Sequence, residues 1–149
     1  MSHLIEFNLK NGKLRRRSRM RLPRRKMRHE ETQMQMMFVL WLESKGILFN
    51  ASMAGVNLGR RSAVIRKRMG ARSGFPDIQI LEPTDKYSGL FLELKSKAGK
   101  QDREGKQVWW QTELNRRGYC ALIMPTGLDI VAGLEWCKGK VEAYLGDSC

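Results

Sequence analysis

Asp77, Glu93 and Lys95 are the residues of this chain whose types and spacing are suited to chemistry on a phosphodiester. They fall within "GFPDIQILEPTDKYSGLFLELKSK", residues 74–97, where two apolar runs flank a turn-rich link. Two clustered carboxylates repel one another unless a cation compensates them, and Mg²⁺ takes oxygen ligands of this kind. The main-chain carbonyl of Leu94 offers a further oxygen between Glu93 and Lys95. A divalent ion held there polarises a scissile phosphate and lowers the pKa of an attacking water. A lysine alongside positions that water and offsets the charge that builds on the phosphorane. On its own, E-x-K is a common pattern for a cross-strand ion pair and P-D a common turn, so the surrounding elements must decide.

Side chains along a strand alternate faces. In "GLFLELKSK", residues 89–97, Leu90, Leu92 and Leu94 therefore face a core, while Phe91, Glu93 and Lys95 share the opposite face. "DIQIL", residues 77–81, is the preceding strand, and the link "EPTDKYSG" makes the pair an antiparallel hairpin. This pairing brings Asp77, at the head of its strand, toward Glu93 and Lys95. Upstream, Met34, Met37, Phe38, Trp41 and Leu42 recur as the stripe of an amphipathic helix over Glu30–Lys45, stopped by Gly46. "ILFNAS" follows as a short strand. The glycine-punctuated segment "MAGVNLGRRSAVIRKRMGARSG" reads as a surface loop with a basic helical turn. Its Arg60, Arg61, Arg66, Lys67, Arg68 and Arg72 are candidates for contact with a phosphate backbone. Downstream, residues 102–117 read as a helix ended by Gly118, with Val108, Trp109, Trp110 and Leu114 as its apolar contacts. Trp109 and Trp110 are also able to stack on bases. "YCALIMP" is a buried strand closed by Pro125, and one or two helices finish the chain. The order predicts an α/β fold with a central mixed β-sheet flanked by helices.

The net charge of +13 and the pI of about 10.2 favour a polyanionic partner. No run of 18 apolar residues is present, and the N-terminus has no apolar signal core. These features, with three scattered cysteines (Cys120, Cys137, Cys149) read as reduced thiols, predict a cytoplasmic, nucleic-acid-associated protein that is not secreted. His3 and His29 are the two histidines, which argues against nucleases built on clustered histidine ligands and against a Ser-His-Asp or Cys-His catalyst. Residues 1–28 carry eleven Lys and Arg against one acid, Glu6. They form a basic arm, without periodic apolar residues, that is expected to order on an anionic partner through Arg15, Arg16 and Arg17. Residues 29–149 make up the folded domain. The arm has no apolar face to insert into a membrane.

The motifs "SGFPDIQIL", "GLFLELKSKAGK" and "QVWWQTELNRRGYCALIM" together resemble the virus-type replication-repair nuclease (VRR-NUC) domain, a branch of the PD-(D/E)xK restriction-endonuclease-like superfamily. Gly74-Phe75-Pro76-Asp77 matches the family's G-x-P-D. Glu93-Leu94-Lys95 matches its E-x-K, with Gly99 after it. Gln107 matches its helical glutamine, and Gly118-Tyr119 the G-Y before the last strand. The resemblance spans residues 30 to 125 and implies a restriction-endonuclease-like core. It implies that Asp77, Glu93 and the Leu94 carbonyl bind Mg²⁺ or Mn²⁺, with Lys95 orienting or deprotonating the attacking water. Glu31 corresponds to an early helical glutamate that joins the site, in preference to Glu30, although a helix N-terminus attracts acids for its own reasons. Gln107 supports the active site or is an ordinary polar helix residue. The loop from Gly99 to Gln107 is about two residues longer than the family pattern.

By the same resemblance, the expected activity is that of an endodeoxyribonuclease on branched DNA, including four-way junctions, acting as a homodimer without an organic cofactor. Competing readings are a non-catalytic DNA-binding module on the same fold, and an RNA-binding or packaging protein for which the charge alone speaks.

Overall fold

The computed structural model describes residues 30–52, 59–98 and 105–146, apart from the side chains of residues 59–63. The basic arm with Arg15, Arg16 and Arg17 lies outside the described residues, as does Gly99. The elements run α1 (Glu30–Ser44), β1 (Phe49–Ala51), α2 (Gly59–Arg68), β2 (Ile78–Ile80), β3 (Leu90–Glu93), α3 (Lys106–Arg116), β4 (Cys120–Ile123) and α4 (Ile130–Leu145). The strands form one mixed sheet in the order β1-β2-β3-β4. The β1–β2 and β2–β3 pairs are antiparallel and β3–β4 is parallel. A parallel neighbour needs a crossover, and α3 supplies it. The expected α/β architecture, with helices flanking a mixed sheet, is the one observed.

Strand alternation divides the interior into two cores. Leu90, Leu92 and Leu94 join Ile78 and Ile80 on one face, under α1 and α4, with Met34, Phe38, Leu42, Val141 and Tyr144. Burying one such side chain completely is worth about 1.5–3 kcal/mol. Phe91 and Ala121 point to the other face and meet Leu114 of α3, with Phe75, Trp110 and Tyr119 at the margin. The face carrying Phe91, Glu93 and Lys95 is thus covered by α3, and all four residues of β3 are buried.

The buried row of α1 is Met34, Phe38 and Leu42, spaced by four. Met37, expected inward, is 46% exposed, and Trp41 is half-buried, stacking on Phe38 with ring centroids 5.8 Å apart. The helix ends as expected, with Gly46 N–H donating to Glu43 O and Ile47 N–H to Leu42 O. Helix α1 lies against α4 at Gly133, where an added Cβ would fall 2.5 Å from Met34 Sδ. Among the described residues a single helix, α4, occupies the C-terminal region, started by Asp129 Oδ1 accepting from Ala132 N–H at 2.9 Å.

Three expectations are corrected. The basic segment is a ten-residue helix, α2, and not a loop with one turn. In α3, Val108 and Trp109 are exposed, leaving Leu114 and half-buried Trp110 as the packing residues. Cys120 is disulfide-bonded, whereas Cys137 is a free, buried thiol that burial pushes up to about 12. Among the described residues no helix is long and apolar enough to cross a membrane.

Candidate active site

The site begins with Gly74. Its backbone sits at φ +77, and a Cβ there would lie 2.7 Å from Lys106 Cβ. Only glycine permits both that conformation and that approach, so the Gly74–Asp77 segment closes onto the first turn of α3. Trp110 Nε1–H donates to Ser73 O at 3.2 Å, and Phe75 meets the Trp110 ring edge-on with centroids 4.8 Å apart. Pro76 is buried, and Asp77 then enters β2 with its carbonyl accepting from Ser52 N–H at 2.6 Å.

The β2–β3 ladder pairs Ile78 with Leu92 and ends there. One step beyond, the side chain of Asp77 replaces a backbone partner: its Oδ2 accepts from Leu94 N–H at 2.8 Å. On the other side of β3, Met124 N–H donates to Glu93 O at 2.9 Å. The backbone of Glu93 and Leu94 is therefore held from both neighbouring strands.

Glu93 and Lys95 are 6% and 9% exposed, and Lys95 Nζ donates to Glu93 Oε1 at 3.0 Å. A buried charged pair is costly unless its remaining hydrogen-bonding capacity is met. Gln107, in the first turn of α3, meets it: its Oε1 accepts from Lys95 Nζ and its Nε2 donates to Glu93 Oε1. The glutamine thus bridges the two ends of the E-x-K motif.

Helix α3 is fixed for this task by a row of amides at Gln107, Gln111 and Asn115. Asn115 Oδ1 accepts from Ala121 N–H at 2.9 Å, while Asn115 Nδ2 and Gln111 Nε2 each donate to Ala121 O at 3.2 Å. Sequence reading gives Gln111 and Asn115 no role. Their i, i+4, i+8 spacing with Gln107 is the signal that marks one helix face.

The electrostatics of the two acids oppose ionisation. Burial raises the Asp77 carboxyl to about 6, partly offset by the Leu94 N–H bond, with Glu31 adding to the rise and Lys95 lowering it. Burial also raises Glu93, to about 7, and the negative charge of Asp77 adds to the rise against the pull of Lys95. Glu31, half-buried in the first turn of α1, raises both acids by like charge. The structure therefore groups Asp77, Glu93, Lys95 and Gln107 by direct bonds or charge, with Glu31 within electrostatic reach.

Asp77 Oδ1 and Glu93 Oε2 have no hydrogen-bond partner among the described residues. No buried side-chain N or O among those residues lacks one, so both oxygens face space that solvent reaches. Hard oxygen donors with suppressed ionisation fit a divalent cation, which would relieve their repulsion. Among the described residues no cluster of three or more His, Cys, Asp and Glu side chains is arranged to hold a metal.

Of the expected phosphate-binding residues, Arg66, Lys67 and Arg68 form the basic last turn of α2, and Arg72 follows it. Arg60 and Arg61 belong to the same helix, but their side chains lie outside the described set.

Neither protein-family profiles nor curated protein sequences give a match to the chain. Among solved structures, one described as a "VRR_NUC domain protein" superposes with a TM-score of 0.57 at 21% sequence identity. The match covers 76% of this chain and 88% of the other, at a probability of 1.00. This chain has the VRR_NUC fold. In the VRR_NUC fold seen here, the G-x-P-D segment, the E-x-K strand and the helical glutamine meet at one end of β2 and β3.

Proposed function

We propose that this chain is a divalent-metal-dependent endodeoxyribonuclease that hydrolyses phosphodiester bonds in branched DNA, within the cell, during replication, recombination or repair. The observation that carries this reading is the meeting of Asp77, Glu93, Lys95 and Gln107, with two carboxylates whose ionisation a cation would favour. Asp77, Glu93 and the main-chain carbonyl of Leu94 are the ligands of Mg²⁺ or Mn²⁺, with Glu31 as a further acid. When bound, such an ion supplies Lewis acidity and an acidified water.

The chain's own groups do the rest. Lys95 positions the attacking water and carries positive charge toward the phosphate oxygen where negative charge develops. Glu93 and Gln107 set the ammonium group's direction, and the Leu94 N–H bond sets that of Asp77. The basic arm, α2 and Arg72 hold the DNA backbone. Two copies acting together suit a two-fold junction, and the exposed apolar residues Met36, Met37 and Leu40 of α1 support pairing.

A second reading is a non-catalytic DNA-binding platform on this fold. It would rest on the basic last turn of α2 and on Arg72, which need no metal to hold a phosphate backbone. The deciding experiment offers a labelled four-way junction, linear duplex, flap and single strand with Mg²⁺, Mn²⁺ or EDTA, to the parent and to Glu93→Ala. Paired metal-dependent nicks in the junction, lost in the variant, are expected. Tight binding without cleavage of any substrate would favour the platform. Junction cleavage at the parent rate by the variant would overturn the site assignment.

A further inference from the structure

A shallow pocket of about 490 Å³ opens where the last turn of α2, the loop after it and the first turn of α3 meet. Its walls are Lys67, Arg72, Ser73, Gly105, Lys106 and Trp109. Among the described residues three cations and no acid line it, so it favours an anion. Trp109 gives it a different character, because this large apolar ring is 56% exposed.

The indole is held in place from beneath. Trp109 meets Trp110 edge-on with centroids 5.0 Å apart, and Trp110 is fixed in turn by Ser73 O and Phe75. An exposed aromatic face on a fixed support, beside a ring of cations, matches a ligand that is aromatic and anionic at once. A nucleotide is such a ligand, and the volume falls within the ordinary range for small-ligand pockets.

We infer that this pocket binds an unpaired nucleotide of DNA, with the base stacked on Trp109 and phosphate oxygens facing Lys67, Arg72 and Lys106. Duplex DNA keeps its base faces stacked inside the helix, so an indole reaches one only on a single strand or an extruded nucleotide. The pocket also shares its elements with the carboxylate site. Lys106 adjoins Gln107, and Ser73 opens the segment that ends in Asp77. Resting on the nuclease reading, this assigns the substrate class as DNA with unpaired nucleotides next to the cleaved bond, such as forks, flaps and gapped junctions, in preference to fully paired duplex.

The test separates the pocket from the catalysis. Fluorescence anisotropy in EDTA would compare a forked duplex bearing oligo-dT arms with a blunt duplex of equal length. The proteins are the parent, Trp109→Ala and Trp109→Phe. Loss of one stacked base weakens binding by roughly ten-fold, so Trp109→Ala is expected to lose about that on the fork and little on the blunt duplex. Trp109→Phe, which keeps an aromatic face, should recover most of the loss. Equal losses on both DNAs, or none on either, would overturn the inference. Thermal melting of the variants controls for folding. Cleavage by the parent in Mg²⁺ is scored separately, so a failed nuclease reading leaves the anisotropy result intact.

Discussion

Asp77 bonds through its side chain to the backbone of Leu94, at 2.8 Å, where the β2–β3 ladder has run out. The carboxylate thus has a structural duty, aligning the end of β3, and a second oxygen that the proposed function assigns to the metal. These two duties can be separated by substitution.

Asp77→Asn keeps an oxygen that accepts from Leu94 N–H but removes the charge. Cleavage should fall by at least about 100-fold, the scale of losing a group that acts on the reacting centre. The fold should survive, and the metal-free melting temperature at pH 8 should rise, because the ionised acid sits against its raised pKa of about 6. Calorimetry in EDTA checks this; a lower melting temperature would show that the charge itself holds the strands.

The pH dependence has an unusual sign for carboxylates. Asp77 and Glu93 are raised to about 6 and about 7 in the folded chain. Below the ordinary carboxylate range both states are protonated and these acids cost nothing. As pH rises toward the folded values, the unfolded chain loses its protons first, so stability falls through that window and then levels off. In EDTA, Glu93→Gln should therefore gain on the parent as pH rises from about 5 to about 8. Adding Mg²⁺ should stabilise the parent more at the upper end than at the lower.

Gln107→Ala leaves the Lys95–Glu93 pair but removes its bridge. Groups that orient a site without touching the substrate typically contribute about 10- to 100-fold in activity. A loss in that range is expected in kcat, with KM for DNA little changed and a shifted pH profile. Gln107→Glu should not restore activity, since a third acid beside Glu93 adds repulsion. Parent-like kinetics in Gln107→Ala would reduce the glutamine to a surface residue.

Gly74→Ala adds a Cβ where Lys106 Cβ already stands, at a φ that L-residues rarely adopt. The first turn of α3 must then move away from Asp77. Stability should drop by about 1–3 kcal/mol from local strain, and cleavage should fall with it even though no charged group is altered. Chemical denaturation alongside the junction assay measures both.

Neutralising Arg15, Arg16 and Arg17 together should weaken DNA binding and flatten its salt dependence. The log–log slope should change by roughly 0.9 for each phosphate that the arm no longer neutralises. Salt titrations of parent and variant decide this. An unchanged slope would remove the arm from the binding account.

Much of this arrangement is legible in the residues. Alternation alone places Glu93 and Lys95 opposite the leucines of β3, and apart from α2 the element order is the one predicted. The inward row of α1 is harder, because Met37 and Phe38 both fit a helical stripe and only packing against α4 selects Phe38. Segment 60–69 has no internal glycine or proline; Gly59 and Gly70 mark its limits, and counting them as punctuation throughout hides a helix. Trp109 reads as a packing residue because indoles usually bury, and nothing local shows that Trp110 takes the covered position. Of the amides of α3, Gln111 and Asn115 escape notice because polar periodicity carries no hydrophobic signal, although they repeat with Gln107 at four-residue spacing.

The grip of Asn115 and Gln111 on Ala121 has a consequence beyond the placement of α3. β4 ends the sheet, and an open edge there would invite another strand to add by main-chain pairing. With both polar groups of Ala121 already engaged by side chains of its own chain, the sheet is closed to growth at the middle of that edge. The chain's own amides thus turn this border of the sheet away from fibre-like stacking, leaving β1 as the sheet's other edge.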